Sequence, residues 1–163
     1  MNNTMDQSRR RLFNRRAQQA IRPPWSRTDI EFTDICTRCN LCIEACETAI
    51  IFRGDGGFPE VNFSQAECTF CTKCVSACKE PLFNDPQQEP WQLRAVIDNS
   101  CLALSGIWCQ ACKDACDARA ITFTPAIGCA PQPAIMLDSC TGCGACVSPC
   151  PSQSISITSK EPR

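Results

Sequence analysis

The chain has 163 residues, 17 of them cysteine and none histidine or tyrosine, a thiol content at which cross-links or metal replace part of the apolar core. Without histidine the usual general base, the usual nitrogen ligand of zinc and haem, and a Rieske-type centre are excluded. The formal net charge of -1 is unevenly spread, because residues 1–27 hold Arg9, Arg10, Arg11, Arg15, Arg16, Arg22 and Arg27 against Asp6 alone; a basic arm precedes an acidic body, a pattern suited to steering a partner.

The leader, residues 1–27, is expected to be flexible. Its QSRRRLFNRR stretch begins like a twin-arginine export signal, with Ser8-Arg9-Arg10 followed by Leu12-Phe13. Such signals need an apolar run of roughly 7 to 15 residues behind the charges. Here NRRAQQAIRPPW follows, bringing three more arginines, Asn14, Gln18, Gln19 and the helix-breaking Pro23-Pro24. A cytoplasmic setting is therefore expected, and no later segment has transmembrane length. Arg9, Arg10, Arg11, Arg15 and Arg16 are the residues expected to meet a partner electrostatically.

From residue 28 onward the cysteines form four groups, CTRCNLCIEAC (36–46), CTFCTKCVSAC (68–78), CLALSGIWCQACKDAC (101–116) and CTGCGACVSPCP (140–151). Their last cysteines, Cys46, Cys78, Cys116 and Cys150, are spaced by 32, 38 and 34 residues, an internal repeat. The first, second and fourth groups fit C-x2-C-x2-C-x3-C. A disulfide framework suits secreted chains, and cysteines this close do not readily pair with each other. Zinc sites normally join two C-x2-C knuckles across a longer spacer. Three thiols in one loop with a fourth one helical turn on instead wrap an iron-sulfur cluster and send the last ligand to a neighbour.

The predicted elements repeat with the cysteines. Each x3 step starts a short helix, in IEAC, VSAC, KDAC and VSPC, where Ala45, Ala77, Ala115 and Ser148 let the backbone approach closely. AIIFRGDGGFPEVNF reads as two short strands around a glycine-rich turn, RAITF and QPAIMLD repeat the idea, and QSISI closes the last unit as a strand. The expected fold is α+β: two tandem ferredoxin-like units of small β-hairpins and short helices, over 28–89 and 90–163.

Four 4Fe-4S clusters are expected, three regular and one irregular. In the sequential scheme Cys36, Cys39 and Cys42 join Cys78, while Cys68, Cys71 and Cys74 join Cys46. Likewise Cys101, Cys109 and Cys112 join Cys150, and Cys140, Cys143 and Cys146 join Cys116. A nested scheme, first group with fourth and second with third, competes with it; short connections favour sequence neighbours. In the third group Gly106 stands where the first ligand belongs, so LALSGIW must loop out for Cys101 to serve, with Trp108 covering the site from water. Cys129 is read as a non-ligand thiol in a loop. Glu47, Lys79 and Asp117 replace the proline that follows Cys150, and their charges and N–H groups are levers on cluster potential.

With these motifs placed, the chain resembles the NapF family, the ferredoxin-type accessory proteins of bacterial periplasmic nitrate reductase systems. The resemblance lies in the SRR leader, IRPPW at 21–25, the CTRC group, RGDGGFP at 53–59 followed by VNF, and the final CTGCGAC. It implies a cytoplasmic iron-sulfur protein that contacts the molybdenum-containing catalytic subunit before export and assists its maturation. An electron-transfer subunit or soluble carrier in a respiratory redox chain is the competing reading. The order of C-x2-C-x2-C-x3-C is the reverse of the radical-enzyme motif, GDGG sits in a hairpin turn, and no aromatics interleave the arginines. Neither an enzyme nor a nucleic-acid binder is expected.

Overall fold

A computed structural model describes residues 20–159; the SRR segment with Arg9, Arg10, Arg11, Arg15 and Arg16 lies outside the described residues. Short elements follow the cysteine repeat. The helices are α1 (Phe32–Ile35), α2 (Leu41–Glu44), α3 (Lys73–Ala77) and α4 (Ala111–Asp114), and the strands are β1 (Ile51–Arg53), β2 (Pro59–Val61), β3 (Leu93–Ile97), β4 (Ile121–Ala126), β5 (Cys129–Ile135) and β6 (Ile155–Ser159).

Each half contains a hairpin between its two cysteine groups. In the first, β1 and β2 are antiparallel with Ile51 opposite Val61; in the second, β4 and β5 are antiparallel with Ile121 opposite Ile135. The register of the second hairpin shifts between Thr124 and Ala126, where Pro125 has no N–H for the ladder. Each half also pairs its entering chain with its exit. In the second half this is the β3 and β6 ladder, from Leu93 opposite Ser159 to Ile97 opposite Ile155. In the first half it shrinks to a single bridge between Ser26 and Phe83, because Pro23, Pro24 and Pro81 withdraw N–H groups on both sides.

The segment IRPPW belongs to the body. Pro23 and Pro24 are fully buried and Trp25 is 4% exposed. The Val61 N–H donates to the Ile21 carbonyl at 2.8 Å, and the Asn84 N–H to the Trp25 carbonyl at 2.8 Å. A leader ending at residue 27 would thus include packed structure.

Three of the four expected helical turns form. The fourth group makes only turns over 145–149. Pro149 occupies the place of Ala45, Ala77 and Ala115; the Ala45 and Ala115 N–H groups bond back to Leu41 and Ala111 at 3.0 and 3.2 Å, a bond that proline, lacking N–H, cannot make.

The core is a single buried cluster in which Cys68, Cys74, Cys112 and Cys146 pack among Ile50, Ile51, Val61, Phe63, Ala95, Ile121, Ile155 and Ile157. Thiols thus stand at the centre, where a chain this size otherwise places hydrocarbon.

Candidate metal centres

The three regular groups share one backbone curl. The residues on either side of the middle cysteine are left-handed in each: Arg38 (φ 58°) and Asn40 (φ 65°), Phe70 (φ 53°) and Thr72 (φ 61°), Gly142 (φ 71°) and Gly144 (φ 84°). Alternating handedness turns successive N–H groups toward one concave side, a nest suited to anionic sulfur. Four of these positions carry side chains, each costing roughly 1–2 kcal/mol of backbone strain; such strain persists where function demands the conformation.

Helices α2 and α3 then start directly on Asn40 and Thr72 and carry each chain to its last cysteine. After that cysteine the chain turns again, through left-handed Ala49, Arg119 and Gln153, whose N–H groups return to the carbonyls of Cys46, Cys116 and Cys150 at 3.1, 2.9 and 3.1 Å. In the second group Pro81 holds this place, and a proline cannot adopt positive φ.

The thiols gather into four sets, each spanning two groups. Burial pushes the Cys42 thiol up to about 11, and Cys36, Cys78, Cys74 and Cys39 beside it add to the rise. Burial likewise takes Cys74 to about 12, with Cys68, Cys46 and Cys71 as neighbours, and Cys68 to about 11, with Cys46, Cys71 and Cys143 nearby. In the second half burial raises Cys112 to about 11 beside Cys101, Cys109 and Cys150. It raises Cys146 to about 12 beside Cys143, Cys140 and Cys112. Cys116 joins Cys140, Cys143 and Cys146 around one cavity. Each last cysteine therefore lies with the other group of its own half.

The irregular third group reaches the same arrangement by another backbone. Gln110, at the place of Asn40 and Thr72, has φ -134° and ψ 14° and is not left-handed. The chain from Cys101 folds into compact turns, with the Ser105 N–H on the Cys101 carbonyl at 3.0 Å and the Ile107 N–H on the Leu102 carbonyl at 2.9 Å. Gly106 takes φ 83°, and Ala103 is buried beneath. These turns bring Cys101 back to Cys109 and Cys112. Trp108 does not pack over the site as a cover; it is 73% exposed. Cys129 is exposed at the tip of the second hairpin.

Contacts to sulfur differ among the sets. The Cys150 sulfur lies 3.4 Å from the Ser154 hydroxyl and 3.7 Å from that of Ser152. Burial alone would raise this thiol, yet hydrogen bonds from Ser154 and Ser152, side chain and backbone together, outweigh it and leave Cys150 below its ordinary value. The Cys46 sulfur meets the Thr48 hydroxyl at 3.7 Å, and the Cys116 sulfur accepts the Ala120 N–H at 3.3 Å. Glu47 pairs with Lys73, both exposed. Ser154 and Trp91 were not singled out from sequence. Ser154 had a signal: the places four residues after the other last cysteines are Ile50, Leu82 and Ala120, all apolar.

The residues present fit 4Fe-4S clusters. The donors are thiols throughout, and all seventeen cysteines are free of disulfides. Among the described residues no three His, Cys, Asp or Glu converge on a single ion, as mononuclear zinc at about 2.3 Å from sulfur would require. Asn40 Oδ1, inside the first loop, is buried without a hydrogen-bond partner.

Comparison with known proteins agrees with this chemistry. The 4Fe-4S dicluster domain family matches residues 35–80 and 107–160. The ferredoxin-type protein NapF of Escherichia coli (strain K12) is 43% identical over 154 residues, covering 93% of this chain and 94% of that protein. NapF of Haemophilus influenzae is 50% identical over 137 residues, covering 84% and 78%. The methylamine utilization ferredoxin-type protein MauM of Methylobacillus flagellatus is 29% identical over 152 residues, covering 82% and 65%. No helix among the described residues is long and apolar enough to cross a membrane. At such identity over nearly its whole length, the chain belongs to the NapF family of ferredoxin-type 4Fe-4S proteins.

Proposed function

We propose that the chain carries four 4Fe-4S clusters and acts in the cytoplasm on the molybdenum-containing catalytic subunit of periplasmic nitrate reductase, assisting its maturation before export. Cys36, Cys39, Cys42 and Cys78 hold one cluster, and Cys46, Cys68, Cys71 and Cys74 a second. Cys101, Cys109, Cys112 and Cys150 hold the irregular one, and Cys116, Cys140, Cys143 and Cys146 the last. The neighbours of Cys42 and Cys112 support this sequential pairing over the nested one. Bound clusters supply one-electron chemistry; the chain's own part is to grip iron, bury sulfur and set the local field. The role is electron transfer or assembly without a catalytic site.

The observation that carries this reading is the gathering of four thiol quartets in a chain whose NapF relatives match it almost end to end. The test is capture of partners from anaerobic extract. The full chain is expected to retain the molybdenum subunit, and a variant with Arg9, Arg10, Arg11, Arg15 and Arg16 replaced by glutamine to lose it at unchanged iron content. Equal capture by both overturns the role of the arm, and absence of the molybdenum subunit from the full-chain capture overturns the partner.

A plain electron-transfer subunit or soluble carrier is the second reading. The direct contact between the cysteine loops of the two halves is compatible with it, since a carrier needs contiguous centres, but the basic arm counts against it because a carrier has little use for one.

A further inference from the structure

The second and fourth cysteine loops belong to different halves of the chain, yet they touch. The Cys68 N–H donates to the Cys143 carbonyl at 2.8 Å, which holds the two cysteines side by side. Two ferredoxin units merely strung together would need no such contact.

Trp91 braces it. Its ring meets Phe63 edge-on at 5.9 Å and Phe70 at 5.8 Å, and its Nε1–H donates to the Thr141 carbonyl at 3.0 Å. Phe70 lies inside the second loop and Thr141 inside the fourth, so one indole spans the seam.

Gly144 of the fourth loop points the same way. Arg38, Asn40, Phe70 and Thr72 adopt the same left-handed conformation with full side chains, so the curl alone does not demand glycine. Close approach does. A Cβ on Gly144 would stand 2.1 Å from Cδ1 of Phe63 in the first half, whereas one on Gly142 would stand 2.5 Å from the Leu93 carbonyl oxygen within its own half. Gly144 thus marks where the fourth loop comes up against the first half, while the second loop keeps Phe70 and Thr72 at the matching places.

We propose that this contact is an electronic junction that makes the chain one four-centre assembly rather than two independent two-centre ferredoxins. The inference rests on the cluster assignment given above. The chain sets the order: α2 leads from Cys42 of the Cys36 quartet to Cys46 of the next, the hydrogen bond between Cys68 and Cys143 joins the Cys46 quartet to the Cys116 quartet, and α4 leads from Cys112 of the Cys101 quartet to Cys116. With clusters held by the two quartets, the crossing would move one electron: the centre held by Cys46, Cys68, Cys71 and Cys74 would be oxidised as that held by Cys116, Cys140, Cys143 and Cys146 was reduced, with no bond broken and no proton moved. A low-potential one-electron reductant at one end and a one-electron acceptor at the other complete the balance.

Electron paramagnetic resonance of the anaerobic holoprotein reduced with dithionite tests the junction, because neighbouring reduced centres broaden each other's signals. In a background with Cys36→Ser and Cys39→Ser, emptying the Cys116 quartet through Cys140→Ser and Cys146→Ser should remove the broadening of the Cys46-quartet signal. Emptying the Cys101 quartet through Cys109→Ser and Cys112→Ser should leave it in place. Trp91→Ala keeps every thiol and should weaken the same broadening at unchanged iron content. A Cys46-quartet signal indifferent to the Cys140 and Cys146 substitutions, or unchanged broadening in iron-replete Trp91→Ala, overturns the junction. A wild-type protein without iron overturns the cluster reading beneath it instead.

Discussion

The Ser154 hydroxyl lies 3.4 Å from the sulfur of Cys150 and receives a hydrogen bond from the Ser152 hydroxyl at 3.1 Å, leaving its own proton free for the sulfur. Ser154 is 1% exposed, the one buried polar residue among the described residues. A hydroxyl buried where the other repeats place Ile50, Leu82 and Ala120 must find a partner, and here the partner is a thiol of the irregular quartet. Hydrogen bonds to cluster sulfur favour the more negative, reduced state and so raise the potential. Ser154→Ala is expected to make the irregular centre harder to reduce at unchanged iron content. A redox titration followed by electron paramagnetic resonance reads the shift, and an unmoved potential contradicts it.

Gly144 predicts a stability effect. At φ 84°, with a Cβ position 2.1 Å from the Phe63 ring, Gly144→Ala combines a strained backbone with overpacking and is expected to cost about 1–3 kcal/mol. Thr72→Ala, at the equivalent left-handed position of the second loop, keeps a Cβ where one already fits and should cost less. Denaturant midpoints of the two holoproteins decide between them.

The buried thiols give a pH dependence. In the metal-free chain burial holds Cys42, Cys68 and Cys112 at about 11 and Cys74 and Cys146 at about 12, against an ordinary value of 9.0. A group with a raised folded-state value stabilises the fold fully below its unfolded value and loses that contribution as pH rises through the folded one. The metal-free protein should therefore unfold more readily as pH climbs from about 9 toward about 12. The loaded protein, whose thiolates are held by iron, should not share that loss. Cluster insertion near neutrality should release protons, measurable with a pH indicator in weak buffer; a loading reaction without proton release contradicts the burial of neutral thiols.

Glu47 and Lys73 form an exposed pair between the end of the first group and the helix of the second. Exposed pairs contribute little to stability. Glu47→Gln is expected to leave the thermal midpoint nearly unchanged, and since Lys73 then stands unneutralised beside Cys74, to make the Cys46-quartet centre easier to reduce. Equal potentials in the two proteins would remove Glu47 from the list of tuning residues.

Much of this organisation was legible because cysteine spacing and turn chemistry are local signals. The GDGG turn between Ile51 and Val61 and the repeat of last cysteines needed no distant information. Pro149 was a local signal too, and it explains why the fourth group lacks the helix expected from VSPC. What the spacing could not carry is contact between remote segments. IRPPW reads as part of a flexible arm until Trp25 is seen against Phe70, with ring centroids 6.2 Å apart. Trp91 reads as a lone aromatic until it spans two loops. The loop after Cys101 could be read as an interruption, but not that its turns bury Ala103 and return Cys101 to its set. In each case the deciding partner lies far along the chain, where local pattern has no reach.

Counting iron and acid-labile sulfide on anaerobically purified protein tests the central claim most directly. Four filled quartets predict about sixteen of each per chain, falling to about twelve when Cys109 and Cys112 are replaced by serine. Folded, colourless protein with neither iron nor sulfide would contradict it.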